Sequence, residues 1–299
     1  IGEREVEQRR LRSLVGLRLL DGAGVVDQPG EIGWRVGIEH CLLQGDHLRA
    51  IEPDQILFEG LRPRCETLFH RFLERRDVAT LDQFLQWSKA WAAPTVMKRT
   101  EIADRLRDDP HANVVAPEFL CWLHQEFYHA MPERLRWVQG EKEPIWVEAG
   151  VTRTRMVEVG FHLAPVPDSL NSFLQRFTQA YDPTKMHGLR PLLALAAAHH
   201  RLMWIHPFLD GNGRVARLFT DAYFQRIALA GYGLWNVSRG LARQSKQYKL
   251  SLAAADLQRA NDLDGRGNLS DRGLTEFCRF FLEVCLDQVA YMDGLLDLQ

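Results

Sequence analysis

Residues 206–214 read His-Pro-Phe-Leu-Asp-Gly-Asn-Gly-Arg, and Arg217 follows one helical turn later. The stretch holds a base, a hard-metal ligand, a run suited to binding an anion through backbone amides, and two guanidinium groups. Gly211 and Gly213 lack a Cβ, so the chain there can turn left-handed and approach a ligand closely. Asn212 tolerates the same conformations, so three successive N–H groups can converge on an anion as a nest. Arg214 and Arg217 share a helical face, and each can form bidentate, charge-assisted bonds to phosphate oxygens. Asp210 is the kind of oxygen ligand that Mg²⁺ takes, one or two carboxylates completed by phosphate oxygens. The imidazole of His206, with an ordinary pKa of ~6.5, can accept a proton near neutrality. Together these residues describe a loop that grips a nucleoside polyphosphate with a base beside it.

Such a loop needs rigid elements on both sides. An apolar run, 192–205, leads in and a helix-competent segment, 215–230, leads out. Pro207 stops the incoming helix just after His206, and Phe208 anchors the loop in the core. A second helix opening at Gly213 adds its free amides and positive end to the same concavity. Upstream, Pro117 opens a helix through Phe119, Leu123 and Phe127. Val157, Val159, Phe161 and Leu163 alternate with Glu158, Gly160 and His162, the pattern of a half-buried strand. Asp168 is then read as the cap of a helix through Leu170, Phe173 and Phe177. Near the end, Leu274, Phe277, Phe281, Val284, Gln288 and Met292 trace a helical stripe that belongs to a core.

The first third of the sequence reads as helical. Residues 1–20 suit an amphipathic helix ended by the glycine-containing run 21–33, and 40–50 suit a second. Pro53 fits the first turn of a helix running towards Asp77, with Pro63 kinking or splitting it. Thr80 and Gln83 make a capping box ahead of Phe84 and Trp87, and a short helix, 100–107, lies between Pro94 and Pro110. A boundary near 94–112 separates an N-terminal helical region, 1–109, from a core, 110–299.

The chain has 299 residues, 46% hydrophobic and 25% charged, which is close to globular averages and enough for one large domain or two modest ones. A net charge of −2 gives no general electrostatic reason to expect a nucleic acid or an anionic membrane as partner. No uninterrupted apolar run approaches the ~18 residues of a membrane span, since 191–205 is broken by His199, His200 and Arg201. The opening residues, with Glu3-Arg4-Glu5, lack a signal-peptide pattern. Five cysteines, an odd and sparse set without metal spacing, suit reduced thiols and a cytoplasmic location.

Several motifs lead elsewhere only at first sight. There is no Gly-x-x-x-x-Gly-Lys-Ser/Thr phosphate loop. Residues 262–270 begin like a calcium loop, yet Arg266 and Gly273 stand where an acid or amide and a Glu belong, so a capped turn is expected. Residues 99–106 open like a helix-turn-helix with no recognition helix or basic face behind them. His199, His200 and His206 lack the spacing of helical zinc sites, and one of them is the candidate for steadying the loop. Tyr248 reads as a core residue.

Residues 206–217 resemble the signature of the Fic (Fido) family, His-Pro-Phe-x-Asp/Glu-Gly-Asn-Gly/Lys-Arg-x-x-Arg, with every fixed position matched. Residues 153–167 resemble that family's flap hairpin and Leu123-His124 the first helix of its core, so the resemblance spans roughly 110–290. It implies a mostly α fold, a helical bundle with a small β-hairpin flap, and transfer of AMP from ATP to a Ser, Thr or Tyr hydroxyl of a target protein. By that resemblance His206 is the base and Asp210 holds Mg²⁺ between the α- and β-phosphates. Gly211, Asn212 and Gly213 cradle the phosphates through their amides, and Arg214 and Arg217 neutralise the β/γ end. The flap edge could receive a target segment by strand addition. Gly213 stands where the phosphate-transferring death-on-curing branch has Lys, which favours nucleotidyl transfer. Transfer of another group, such as UMP from UTP, and a non-catalytic partner-binding module are the alternatives. The family's inhibitory helix, Ser/Thr-x-x-x-Glu-Gly/Asn, has no clean copy. Residues 55–60 keep Glu59-Gly60 but begin with Gln55, and 99–104 carry Ala103 where the Glu would stand. Control by a separate antitoxin chain or by self-association is left open.

Overall fold

The computed structural model describes residues 61, 63–67, 101–140, 143–160, 162–229, 231–261, 264 and 268–297. The helices expected within 1–50, the Pro53 start, the Thr80 capping box and the Glu59-Gly60 segment lie outside the described residues. Residues 61 and 63–67 are helical, and so are 101–108, where the short helix between two prolines is expected.

Seven longer elements carry the rest of the described chain: α1 (Pro117–His129), α2 (Leu170–Tyr181), α3 (Arg190–Ile205), α4 (Asn212–Arg226), α5 (Val237–Arg243), α6 (Ser245–Ala255) and α7 (Asp271–Asp297). Two short antiparallel hairpins complete it. Trp137–Val138 (β1) pairs with Ile145–Trp146 (β2), and Glu158–Val159 (β3) with His162–Leu163 (β4). The fold is therefore mostly α with small two-stranded additions. Among the described residues no helix is long and apolar enough to cross a membrane.

Helix α3 is the central element because its stretch Leu192–Ala198 is apolar all round. Leu192 through Ala198 are all buried, and a helix without a polar face must be enclosed by others. Its alanines, Ala194, Ala196, Ala197 and Ala198, are small enough to let α2, α4 and α7 pack directly upon it. Helix α7 supplies the facing stripe, with Leu274, Phe277, Phe281, Val284 and Gln288 buried as their 3.6-residue spacing predicts. Each fully buried phenylalanine contributes about 1.5–3 kcal/mol by area alone. Helix α1 starts with Pro117 in its first turn, where a missing N–H costs nothing, and packs on α4.

Two local expectations are corrected. The alternation across 157–163 is not one half-buried strand. The chain reverses at Gly160, whose φ of +65° is open to glycine, and the two halves pair with each other. Val159 and Leu163 are consequently 47% and 56% exposed. Asp168 does not cap α2. It lies in a 3₁₀ turn, Pro167–Ser169, and the N–H groups of Ser169 and Leu170 bond back to the carbonyls of Val166 and Pro167, so the helix needs no side-chain acceptor there. The turn before α7 is capped as expected. Asp264 Oδ1 accepts from Ser270 Oγ and Arg272 N, and Oδ2 from Ala260 N, each at 3.0 Å.

At Gly273 the start of α7 lies tightly against the end of α6. A methyl there would stand 2.6 Å from the Ala254 carbonyl oxygen and 3.1 Å from Ala255 Cα. Backbone cannot swing aside as a side-chain tip can, so Gly273→Ala is expected to lower stability by about 1–3 kcal/mol. Urea unfolding checks this as a lower midpoint at unchanged slope.

Candidate active site

Helix α3 ends at Ile205, and His206 caps it in a left-handed conformation, φ 50° and ψ 60°. Its N–H still bonds to the Leu202 carbonyl at 3.1 Å, but Pro207 prevents the helix from continuing. The ring places Nδ1 3.1 Å from the Met203 carbonyl. A carbonyl can only accept, so Nδ1 carries the proton and, in the neutral ring, Nε2 keeps its lone pair. Burial pushes the imidazole pKa below its ordinary value; the Met203 bond and Asp210 oppose this, while His162 and Arg153 add to it.

The loop beyond is held by its own side chains. Phe208 is buried and stacks on His124 at 4.1 Å. The Asn212 amide takes both polar groups of Phe208, its Oδ1 accepting the N–H at 2.9 Å and its Nδ2 donating to the carbonyl at 2.7 Å. Asn212 therefore spends its side chain on closing the loop and can offer a ligand only its backbone. Gly211 takes φ +82° as the N-cap of α4. The first N–H groups of that helix to bond back are those of Arg214 and Val215, both to the Gly211 carbonyl, at 3.0 and 2.9 Å. The amides of Gly211, Asn212 and Gly213 thus stand at the positive end of α4, the arrangement that favours an anion. The helix starts at Asn212 rather than Gly213, because Gly211 already supplies the left-handed turn.

Asp210 lies between α1 and α4. Its Oδ2 accepts from the Tyr128 hydroxyl and from Arg214 Nη2, each at 2.6 Å. Burial alone would raise its pKa, but the bonds from Tyr128 and the Gly211 N–H, with the Arg214 charge, more than offset this and hold it below the usual carboxylate value. The Asp210 carbonyl accepts from His124 Nε2 at 3.2 Å, and His124 Nδ1 accepts the Gly150 N–H at 2.8 Å. That pair of bonds sets the tautomer of His124, and burial pushes its pKa down to about 4. Arg214 also lies over the Phe127 ring, 4.8 Å from its centroid. Arg217 is half-buried one turn on, and burial lowers its pKa, so its charge is poorly solvated where it stands.

His206, Asp210, Gly211, Asn212, Gly213, Arg214 and Arg217 are brought together on one loop and the first turns of α4. The other two histidines of the sequence triplet point elsewhere. His199 donates from Nδ1 to Thr220 Oγ1, whose hydroxyl is committed to the Ala216 carbonyl, and accepts the Tyr248 hydroxyl at Nε2. Its pKa is pushed down to about 3, chiefly by burial. His200 donates from Nε2 to Asp256 Oδ1 at 2.9 Å. The loop is steadied instead by His124, Tyr128 and Arg153, which spacing within the motif could not disclose. For the first two the sequence signal is a histidine and a tyrosine four residues apart on an otherwise apolar face of α1, two polar tips in need of partners; Arg153 carries none.

A family model described as Fic/DOC family matches residues 114–224, from just before α1 to within α4. Residues 114–224 are thus similar to the Fic/DOC family. Over 113 residues, 37% of this chain and 22% of the relative, it is 38% identical to the protein named Protein adenylyltransferase Fic from Drosophila mojavensis. Over 97 residues it is 40% identical to the protein of the same name from Drosophila erecta, covering 32% and 19%. The chain thus spans about a fifth of the length of these curated relatives. Among solved structures it is similar to a Fic family protein from Desulfovibrio desulfuricans, at 18% identity and a TM-score of 0.48 over 92% of this chain and 77% of that one. A Fic domain-containing signaling protein from Bacteroides thetaiotaomicron aligns at 15% identity and a TM-score of 0.46, covering 88% and 98%.

Gly211 is the least replaceable glycine of this loop. A Cβ there would stand 2.8 Å from Tyr128 Cε2 and 3.2 Å from its hydroxyl, in backbone that already disfavours a side chain. Gly211→Ala is expected to cost about 1–3 kcal/mol, seen as a lower Tm in thermal unfolding beside the parent protein.

Proposed function

We propose that the domain transfers AMP from ATP to a Ser, Thr or Tyr hydroxyl of a target protein. The observation that carries this is the tautomer of His206, whose Nδ1 is held by the Met203 carbonyl so that Nε2 keeps its lone pair, on the same loop as the amides that start α4. The printed name of the Drosophila relatives supports the choice of donor and of group transferred. Gly213, in place of a lysine, supports nucleotidyl over phosphoryl transfer.

The phosphates of ATP rest on the amides of Asn212 and Gly213, joined by that of Gly211 once it leaves the Asp210 carboxylate. Arg217 pairs with the distal phosphates and regains there the solvation it lacks, and Arg214 shares the neutralisation. Asp210 fits Mg²⁺, being an ionised, partly exposed carboxylate whose Oδ1 takes neither the Tyr128 nor the Arg214 bond. Bound there, the ion would supply positive charge to the phosphate oxygens. A target segment pairs along the flap edge at β3–β4, where Val159 and Leu163 are exposed, and presents its hydroxyl towards His206. Nε2 takes the hydroxyl proton as the oxygen bonds to the α-phosphorus in line. The bond from that phosphorus to the bridging oxygen breaks, and pyrophosphate leaves with its electron pair. Rate comes from positioning and from charge stabilisation held ready before the reaction. The free thiols of Cys65, Cys121, Cys278 and Cys285 suit a reducing compartment, and the reaction is read as cytoplasmic.

Incubation with ATP labelled at the α-phosphate tests this. Label should pass to a protein target or to the chain itself, and His206→Ala should abolish transfer while ATP still binds; undiminished transfer by that variant would remove His206 from its role. The pH dependence follows from the direction of the shift. Only the neutral ring accepts a proton, and burial holds its pKa below ~6.5. The acid limb of kcat/KM should therefore fall below the ordinary imidazole range, and a limb at or above that range would contradict a buried base.

A further inference from the structure

We propose that Arg153 is a positioning residue for this reaction, its guanidinium tying the flap hairpin to the end of the helix that carries the base. The inference rests on the role proposed for His206.

A helix leaves its last carbonyls without partners inside the helix. At the end of α3 these acceptors are met from the flap segment. His162, on β4, donates from Nε2 to the Trp204 carbonyl at 2.7 Å. Arg153 donates from Nη2 to the Ile205 carbonyl at 3.4 Å and from Nε to the His206 carbonyl at 2.8 Å. Its backbone N–H reaches the Pro207 carbonyl at 2.9 Å. Four consecutive carbonyls, 204 to 207, are thus capped by two residues of one segment.

The other arms of the same guanidinium turn back to the flap. Nη1 donates to the Arg155 carbonyl at 2.9 Å and Nη2 to the Pro165 carbonyl at 2.6 Å, and these two residues flank the β3–β4 hairpin. Arg153 is only 4% exposed, so its charge is taken from water to make these bonds. A cation at the negative end of α3 is favoured by the helix dipole, and the planar fork of five donors suits carbonyls lying on both sides of it. A lysine ammonium keeps the charge but cannot span both sides in one plane.

The consequence for chemistry lies in the backbone of His206. A left-handed conformation is strained for a residue with a Cβ and persists where its surroundings impose it. Arg153 holds the carbonyl on the far side of that residue and the carbonyl after it, so the direction of the ring depends on the same side chain that braces the flap. A target segment bound on the flap and the base that serves it are then held in one frame.

The test is Arg153→Lys in the full chain, with three readouts. The expected result is an unchanged ATP Kd, a kcat lower by about tenfold to a hundredfold with KM for ATP unmoved, and faster amide exchange across residues 155–165. Wild-type kcat together with wild-type exchange would overturn the inference. The wild-type protein supplies a check that does not depend on the variant folding. The Arg153 guanidinium protons should give separate, slowly exchanging NMR signals, and signals averaged by free rotation would overturn the inference. Should the wild-type chain transfer no AMP at all, the proposed function fails, while the exchange and guanidinium measurements still judge the clamp.

Discussion

A histidine held in left-handed backbone between two helix ends is the constraint around which the site is arranged. That conformation costs about 1–2 kcal/mol for a residue with a Cβ, so the surrounding residues have to impose it. Pro207 denies α3 another turn, and Asn212 satisfies both polar groups of the buried Phe208. His124 fixes the Asp210 carbonyl, and Arg153 fixes those of His206 and Pro207. Buried backbone must find partners, and here the carbonyls of His206, Phe208 and Asp210 are matched by side chains and that of Pro207 by the Arg153 N–H. Of the amides at the start of α4, that of Gly211 turns to the Asp210 carboxylate, and those of Asn212 and Gly213 are what remains for a ligand.

The charges follow the same geometry. The negative end of α3 meets a guanidinium, and the positive end of α4 lies beside the Asp210 carboxylate. Between them the imidazole of His206 is buried and its pKa lowered, so near neutrality it stands as an uncharged base. His124 and His199, pushed down to about 4 and about 3, are likewise uncharged there. An imidazolium at either position would add a further cation close to Arg214 or Arg217. Burial thus keeps the positive charge of the site on Arg214 and Arg217.

Residues 206–217 are legible in the sequence because their structure is local. Glycine, proline and asparagine set the turn within a few residues, and the helices on either side follow from an apolar run and its periodicity. The α7 stripe is legible for the same reason. Tyr128 and His124 meet Asp210 across 82 and 86 residues, and Arg153 meets Ile205 and His206 across 52 and 53, distances over which spacing carries no information. The flap shows how a local rule can mislead. Its apolar alternation fits a strand in every residue, but the left-handed turn at Gly160 folds that strand on itself and turns Val159 and Leu163 to solvent. Asp168 misleads in the same way, since the 3₁₀ turn around it meets the need that a cap would serve.

The proton on the His206 ring decides whether the site can act as described, and ¹⁵N NMR of the ring nitrogens in the folded protein at pH 7 reads it directly. The account predicts a protonated Nδ1, bonded to Met203, and a bare Nε2. A ring protonated at Nε2, or at both nitrogens, would leave Nε2 no lone pair to accept a proton and would contradict it.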